Sequence, residues 1–315
     1  MTRKKTKKHG GDPHRIRRTL IGNGEGQGLL QKTVLYFILA GIGFIYLYPV
    51  LYMIVNAFFS SEDLIDPSVT WVPTQIYFGN FVKAWNTLDF QNSFLRSVGM
   101  SIIPALFQTA VTAITGYGFA RFNFPLKKLW LALCVLTFII PTQVTLVPRY
   151  VLFSSYKILD TPLPSFLPAL FGQGLKSAVF VLVFYQFFKS YPKAMDEAAE
   201  IDGANKFTLF FKIALPTATP AIVLSVLFSM VWYWNETTQA RLYFGDIETL
   251  PMKLNDFYDS YQALYNPSNL VNFGNINESI TLAGTFLSIL PLLIMYICLQ
   301  RQFVESIEKT GITGE

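Results

Sequence analysis

A charged, helix-forming segment with a glycine at its end lies between two long apolar runs of this 315-residue chain. It reads Glu197-Ala198-Ala199-Glu200-Ile201-Asp202-Gly203, and Ile213-Ala214-Leu215-Pro216 follows after nine further residues. Ala, Glu, Met and Lys favour a helix from Lys193 to Ala204, and Gly203 permits the left-handed turn that would end it. The carboxylates can form charge-assisted hydrogen bonds with basic groups of a partner, so the segment predicts a docking surface.

The composition indicates that the flanking runs lie in a lipid bilayer. Hydrophobic residues make up 52% of the chain and charged residues only 14%, with a mean hydropathy of +0.38. A helix needs about 20 apolar residues to cross a bilayer. The runs that are long enough are at about 33–57, 98–120, 128–147, 168–188, 217–235 and 277–299. The sequence therefore predicts an all-α membrane protein with six transmembrane helices.

The positions of Lys and Arg predict the orientation of these helices. With the N-terminus in the cytoplasm, 18 of the 25 basic residues lie in cytoplasmic segments, as the positive-inside rule requires. Both termini and the loop 190–216 are then cytoplasmic. We expect a basic, disordered tail over residues 1–31 beside anionic lipids, a membrane domain over 32–300 and a short C-terminal tail over 301–315.

Several kinds of catalytic site are not supported by the sequence. The two histidines, His9 and His14, both lie in the basic tail, and no cluster of residues has metal-ligand spacing. Cys134 and Cys298 fall inside predicted spans, where we expect reduced, packed thiols. The run from Gly172 to Ser177 lacks the glycine that a phosphate-binding loop has before its lysine. We therefore expect no metal, no bound ATP and no cofactor in this chain.

Polar residues within the apolar runs are candidates for a solute path. Gln108, Thr112 and Gln143 would be costly at membrane depth unless they face protein or water. They could line a cavity. Thr112, Gly116 and Ala120 also form a stripe of small residues, which is typical of close helix packing.

Trp234, Asn235 and Glu236 end the fifth run. An aromatic ring beside an amide and a carboxylate could bind a sugar face. Tryptophan at this depth can equally be an anchor at the membrane interface.

These motifs together resemble the inner-membrane permease of carbohydrate ABC importers, the maltose-type branch. The resemblance runs from about residue 33 to the C-terminus. It rests on the Glu197–Pro216 spacing, on Gly116 to Phe122, on Ser190 to Lys193 and on Trp232 to Glu236. This chain departs from the family pattern in two places. Thr237 to Ala240 replace an apolar residue and a proline-leucine pair, and Leu126 follows Pro125 where glycine is frequent.

The resemblance implies a type I ABC importer permease that works by alternating access and is not itself an enzyme. ATP and Mg would be bound by a separate ATPase dimer, which docks on the coupling loop. The residues implied in that docking are Glu197, Ala198, Ala199, Asp202, Gly203, Ile213, Leu215 and Pro216. The other implied partners are a homologous second permease and an extracytoplasmic solute-binding protein. The implied location is the cytoplasmic membrane of a bacterium or archaeon, and the implied cargo is a sugar or oligosaccharide.

Other interpretations remain open from the sequence alone. The cargo could be a solute other than a sugar. A secondary transporter would have inverted repeats with broken helices and no use for the Glu197 loop. The aromatic segments at about 58–97 and 237–276 could pack on the binding protein or lie on the bilayer.

Overall fold

The computed structural model describes residues 22–23, 26–190, 192–265 and 276–311, in two compact units over residues 1–77 and 78–315. Most of the predicted basic tail lies outside the described residues, and so do the last four residues of the C-terminal tail. The described chain is helical apart from two short strands in the first unit, so the predicted all-α class is confirmed.

The first unit contains one long helix. Strands β1 (Gly22–Asn23) and β2 (Gly26–Gln27) pair antiparallel, and helix α1 (Leu29–Asn56) follows. The helix has 28 residues, and most of its large apolar side chains are exposed, as a lipid-facing helix requires.

A hydrogen-bonded loop follows α1 in the same unit. The Asp63 carboxylate accepts hydrogen bonds from the backbone N–H of Ser60 at 3.3 Å and from the Thr74 hydroxyl at 2.5 Å. That hydroxyl holds the pKa of Asp63 below its ordinary value. The loop is therefore closed around an ionised carboxylate.

The second unit consists of helices of very different lengths. They are α2 (Gly79–Thr87), α3 (Phe90–Arg121), α4 (Lys127–Ile139), α5 (Thr142–Ser155), α6 (Leu163–Leu170), α7 (Ser177–Ser190), α8 (Lys193–Ile201), α9 (Lys206–Thr208), a π-helix (Leu209–Ala214), α10 (Leu215–Thr217), α11 (Thr219–Asn235), α12 (Thr238–Tyr243), α13 (Leu250–Asn255), α14 (Phe257–Tyr265) and α15 (Glu278–Gly311). Helix α3 packs against α6, α7 and α11, and α15 packs against α2 and α11. The long helix α3 is therefore at the centre of this unit.

Three of the helices in the described ranges are long and apolar enough to cross a membrane alone: α1, α3 and residues Glu278–Gln302 of α15. Helices α4 and α5 meet at 96°, and Lys206–Thr217 meets α11 at 73°. If each bent pair is one span, the total is five. Helix α7 is apolar but has only 14 residues.

Two predicted spans are interrupted rather than continuous. The run 128–147 breaks at Pro141, which has no N–H to donate and which forces Ile140 into an extended conformation. The run 168–188 contains the end of α6 at Leu170 and the start of α7 at Ser177, with Gly172 between them at φ +73°. An average over a 20-residue run does not show such breaks, because the long apolar stretches on either side outweigh the few residues of the break.

Helices α3 and α7 approach closely at Gly116. A Cβ atom on Gly116 would lie 2.5 Å from the Cβ of Phe184 and 2.8 Å from the backbone nitrogen of Tyr185. Thr112, one turn earlier, is fully buried. Packing is therefore the structural role of Gly116 in this stripe of small residues.

A polar network joins α3 and α11 to the break between α6 and α7. The Gln108 amide nitrogen donates to the carbonyl of Leu175 at 2.8 Å. The Tyr233 hydroxyl donates to the Gln108 amide oxygen at 2.7 Å and accepts from the N–H of Leu175 at 3.1 Å. Both backbone groups of Leu175, which no helix satisfies, are thus bonded by side chains from neighbouring helices.

An aromatic cluster joins the other end of α3 to the segment after α8. The ring of Tyr117 lies 5.2 Å from that of Phe188 on α7 and 4.9 Å from that of Phe210 in the π-helix. Ala214 and Ala218 are fully buried in the same cluster. Small residues here let the chain entering α11 lie close against α3 and α7.

We expect Gly116→Ala to destabilise the protein by about 1–3 kcal/mol, because the new methyl group meets α7. Gly118→Ala is the matched control: the glycine is on the same helix, and nothing lies within 4 Å of its Cβ position. It should be neutral or gain up to about 1 kcal/mol from helix propensity. Thermal unfolding of both variants in one detergent measures the difference. Equal shifts would show that α3 and α7 do not approach closely.

We expect Tyr233→Phe to cost about 1–3 kcal/mol, because the Gln108 oxygen and the Leu175 N–H lose their partner. Tyr185→Phe is the control, since the Tyr185 hydroxyl forms no hydrogen bond with the part of the chain that the structure describes. It should change stability by less than about 0.5 kcal/mol. Thermal unfolding measures both variants. A Tyr233→Phe variant that is as stable as the unmodified protein would refute the network.

Candidate functional site

Helix α8 ends in a fully formed Schellman turn at the predicted glycine. Gly203 has φ +86°; its N–H donates to the carbonyl of Glu200 at 3.0 Å, and the N–H of Ala204 donates to that of Ala199 at 2.9 Å. Asn205 then caps the next helix, because its side chain accepts from the N–H of Thr208. The helix and the glycine turn that the sequence predicts are therefore both present in the structure.

One face of this segment is apolar and exposed. Ala198 is exposed, Ile201 is 87% exposed and Phe207 is 78% exposed. Glu197 and Asp202 are also exposed, and neither forms an ion pair with any described residue. Apolar contacts and unpaired carboxylates on one surface are what a protein partner could bind.

An ion pair joins α8 to the end of α3. Arg121 Nε lies 3.3 Å from Asp196 Oδ2, and the two side chains are only 7% and 16% exposed. The Coulomb attraction between two charges is greater when they are shielded from water than at the surface. Sequence reasoning missed Asp196, whose type and position alone do not distinguish it from the exposed acids beside it.

The second half of the loop is held against the helices. Ile213 and Leu215 are half-buried, Pro216 is exposed in the first turn of α10, and Phe210 inserts into the aromatic cluster. The loop thus presents an exposed first helix and a buried second part. The segment is therefore attached to the helices in two places, through Asp196 and through Phe210.

The candidate path residues do not form one site. Gln108 and Thr112 are fully buried, with the Gln108 side chain bonded in the Leu175 network. Trp234 is buried, with its ring 6.4 Å from that of Phe94. Gln143 is exposed at the start of α5 and lines neither of the two cavities described below.

The last two candidate path residues, Asn235 and Glu236, lie in different surroundings. Asn235 is exposed, and its amide donates to the carbonyl of Val231. Glu236 lines a cavity of about 30 Å³, and its carboxylate accepts the N–H of Gln239 at 2.8 Å. Of the predicted path residues, Glu236 alone faces one of these two cavities.

A larger cavity of about 180 Å³ lies beside the small one. The two share part of their lining, including Arg149, Gln173 and Gln239. Sequence reasoning missed these residues. One signal for this cavity was present in the sequence: Arg149 is a single cation just after the predicted span 128–147, at its outer end.

The titratable side chains of these sites do not form a metal-binding cluster. Among the residues the structure describes, no three His, Cys, Asp or Glu side chains are grouped closely enough to hold a metal ion. Glu197 and Asp202 are exposed on α8 and at its end, and the two cavities are lined by amides, hydroxyls, cations and apolar side chains, with the Glu236 carboxylate in the smaller one.

Comparison with known proteins identifies the family. Residues 108–308 match the family described as the binding-protein-dependent transport system inner membrane component, which is well over half of the chain. The chain is 29% identical to a probable ABC transporter permease protein, YurM, of Bacillus subtilis, over 85% of this chain and 84% of that one. It is 26% identical to the arabinooligosaccharides transport system permease protein AraQ of Halalkalibacterium halodurans, over 87% and 94%.

A solved structure has the same fold. It is a bacterial ABC transporter involved in the import of the acidic polysaccharide alginate, which matches with a TM-score of 0.69 at 18% identity and covers 87% of this chain and 96% of that chain. The family match, the apolar helices and the fold all agree with the resemblance seen in the motifs. The chain belongs to the family of inner-membrane permease components of binding-protein-dependent ABC importers.

Proposed function

We propose that this permease imports a sugar or oligosaccharide, driven by ATPase subunits that dock on α8. The observation that carries the coupling role is the exposed α8 surface, joined to α3 through Arg121 and Asp196. Relatives whose names specify arabinooligosaccharide or lactose transport support the cargo class.

In the proposed mechanism, the ATPases close when they bind ATP and move α8. Because Asp196 pairs with Arg121, the cytoplasmic end of α3 follows that motion. Phe210 transmits the same motion to α7 through the aromatic cluster. Rigid helices that move together around a central path would open it to alternate sides of the membrane. ATP and Mg bind to the ATPases and not to this chain.

The complete transporter would contain a second, homologous permease, an ATPase dimer and an extracytoplasmic solute-binding protein. We propose six spans with both termini in the cytoplasm of a bacterial or archaeal cell. Three to five spans are supported by helix length, and the sixth would need α6 and α7 to cross together as a broken span. Basic residues bordering the α8 loop support its cytoplasmic position.

The first experiment is mass spectrometry of the proteins that co-purify with a tagged chain from native membranes in mild detergent. We expect an ATPase, a second multi-pass permease and a solute-binding protein. The ligand of that binding protein would identify the cargo. Recovery of the chain alone, under conditions that preserve a known ABC complex, would refute the assembly.

We expect Gly203→Val to reduce solute-stimulated ATPase activity of the complex by roughly 5–30-fold. A β-branched residue at φ +86° costs about 1–2 kcal/mol, so the turn that ends α8 would be only fractionally formed. Gly203→Asn is the control, because asparagine tolerates the left-handed conformation and no atom lies within 4 Å of the Cβ position.

The asparagine variant should keep most of the activity, and both variants should still insert in the membrane. Full activity of Gly203→Val, or an equal loss in the two variants, would contradict a coupling role that depends on this turn.

A further inference from the structure

The larger cavity lies where two broken helices meet. Ile140 and Thr142, on either side of the Pro141 break, line one part of it. The turn from Gly172 to Ser177, between α6 and α7, lines another. In transporters, helices interrupted in this way expose polar backbone groups where a solute binds.

Two cations line this cavity without a carboxylate among its lining residues. They are Arg149 on α5 and Lys176 before α7. Neither forms an ion pair with a described residue. Glu236 reaches only the neighbouring small cavity, where its carboxylate accepts a backbone N–H. Lys176 is exposed and Arg149 is half-buried, so a solute in the cavity can reach both, and two cations without a carboxylate beside them are suited to an anion.

The position of Lys176 is closely fixed. Its ammonium group lies 4.5 Å from the centre of the Trp232 ring, a cation–π contact. Its backbone has φ +52°, a conformation that is strained for lysine. The preceding residue, Leu175, is bonded on both its N–H and its carbonyl by Tyr233 and Gln108. The core of the protein therefore holds the backbone before Lys176, and the cation–π contact orients its exposed side chain at the cavity wall.

Other groups around the cavity match a polyhydroxylated solute. Gln173, Gln239 and Thr145 offer amide and hydroxyl groups. The first residues of α5 and α7, Thr142 and Ser177, also line it, so the positive ends of two 14-residue helices add to the potential from the cations.

We propose that this cavity binds an anionic oxygen group, a carboxylate or phosphate, of an acidic sugar during import. The assignment rests on the proposed transport function and specifies its substrate class. At about 180 Å³ the cavity is smaller than the roughly 300–1,000 Å³ of a drug-sized ligand pocket, so it holds one charged sugar unit. An anionic lipid headgroup has the same chemistry and is the competing source of the anion.

The test uses the complex purified through this chain, with the binding protein removed, in nanodiscs of phosphatidylcholine only. Calorimetric titration compares glucuronate with glucose, which differ in one carboxylate. We expect glucuronate to bind about 10-fold or more tightly than glucose, as a charge-assisted hydrogen bond implies. Arg149→Gln and Lys176→Gln should each reduce the preference, and the double variant should abolish it.

Lys83→Gln is the matched control, because Lys83 lies on α2 and lines neither cavity. It should keep the full preference. Equal binding of the two sugars by the unmodified complex, or a preference that survives in the double variant, would overturn the inference. A third outcome would also overturn it: the complex retains phosphatidylglycerol, loses that lipid when Arg149 and Lys176 are replaced, and does not bind glucuronate. The site would then be assigned to lipid.

The ATPase subunits should co-purify with every cavity variant. A complex that keeps its ATPase but shows no preference for glucuronate refutes this inference alone. A chain that recovers no ATPase refutes the proposed function instead.

Discussion

The hydrogen bonds to Leu175 are the interaction on which the second unit depends. A backbone group that no helix bonds is costly when it is kept from water. At the break between α6 and α7, Gln108 and Tyr233 bond both groups of Leu175. The same contacts join α3 and α11 to the segment that leads into α7, and Lys176, the next residue, lines the larger cavity. The network that closes the break thus also sets one wall of that cavity.

The opposite end of α3 shows how the segment that contains α8 is attached to the helix bundle. Helix α8 is exposed on its apolar side, yet it is joined to α3 by the pair Arg121–Asp196. The following segment is joined to the helices by Phe210. Two attachments restrict rotation of the loop more than one would, and the proposed coupling role rests on both of them.

Features that depend on neighbouring residues in the chain could be predicted from the sequence. The Gly203 turn follows from glycine's freedom at positive φ and from the helix formers before it. Family resemblance likewise drew attention to Leu126, which has φ +58° where relatives often have glycine. Features that depend on distant contacts could not be derived. Residues far apart in the chain form three of these features: the partner of Asp196, the break at Gly172–Lys176 and the cavity around Arg149. Gln108 is a fourth case, because its polarity suggested a solute path whereas the structure buries it in a hydrogen-bond network.

The π-helix Leu209–Ala214 has a consequence for how such chains can change. A π-helical turn has i→i+5 hydrogen bonds and so holds about one residue more than an α-helical turn. Because the wider turn accommodates this residue locally, removing one residue there would restore regular winding and leave the segments on either side in nearly the same orientation. Removing one residue from a regular α-helix such as α8 would instead rotate the residues before it by about 100° around the helix axis. A one-residue deletion is therefore expected to disturb the Arg121–Asp196 pair less in the π-helix than in α8.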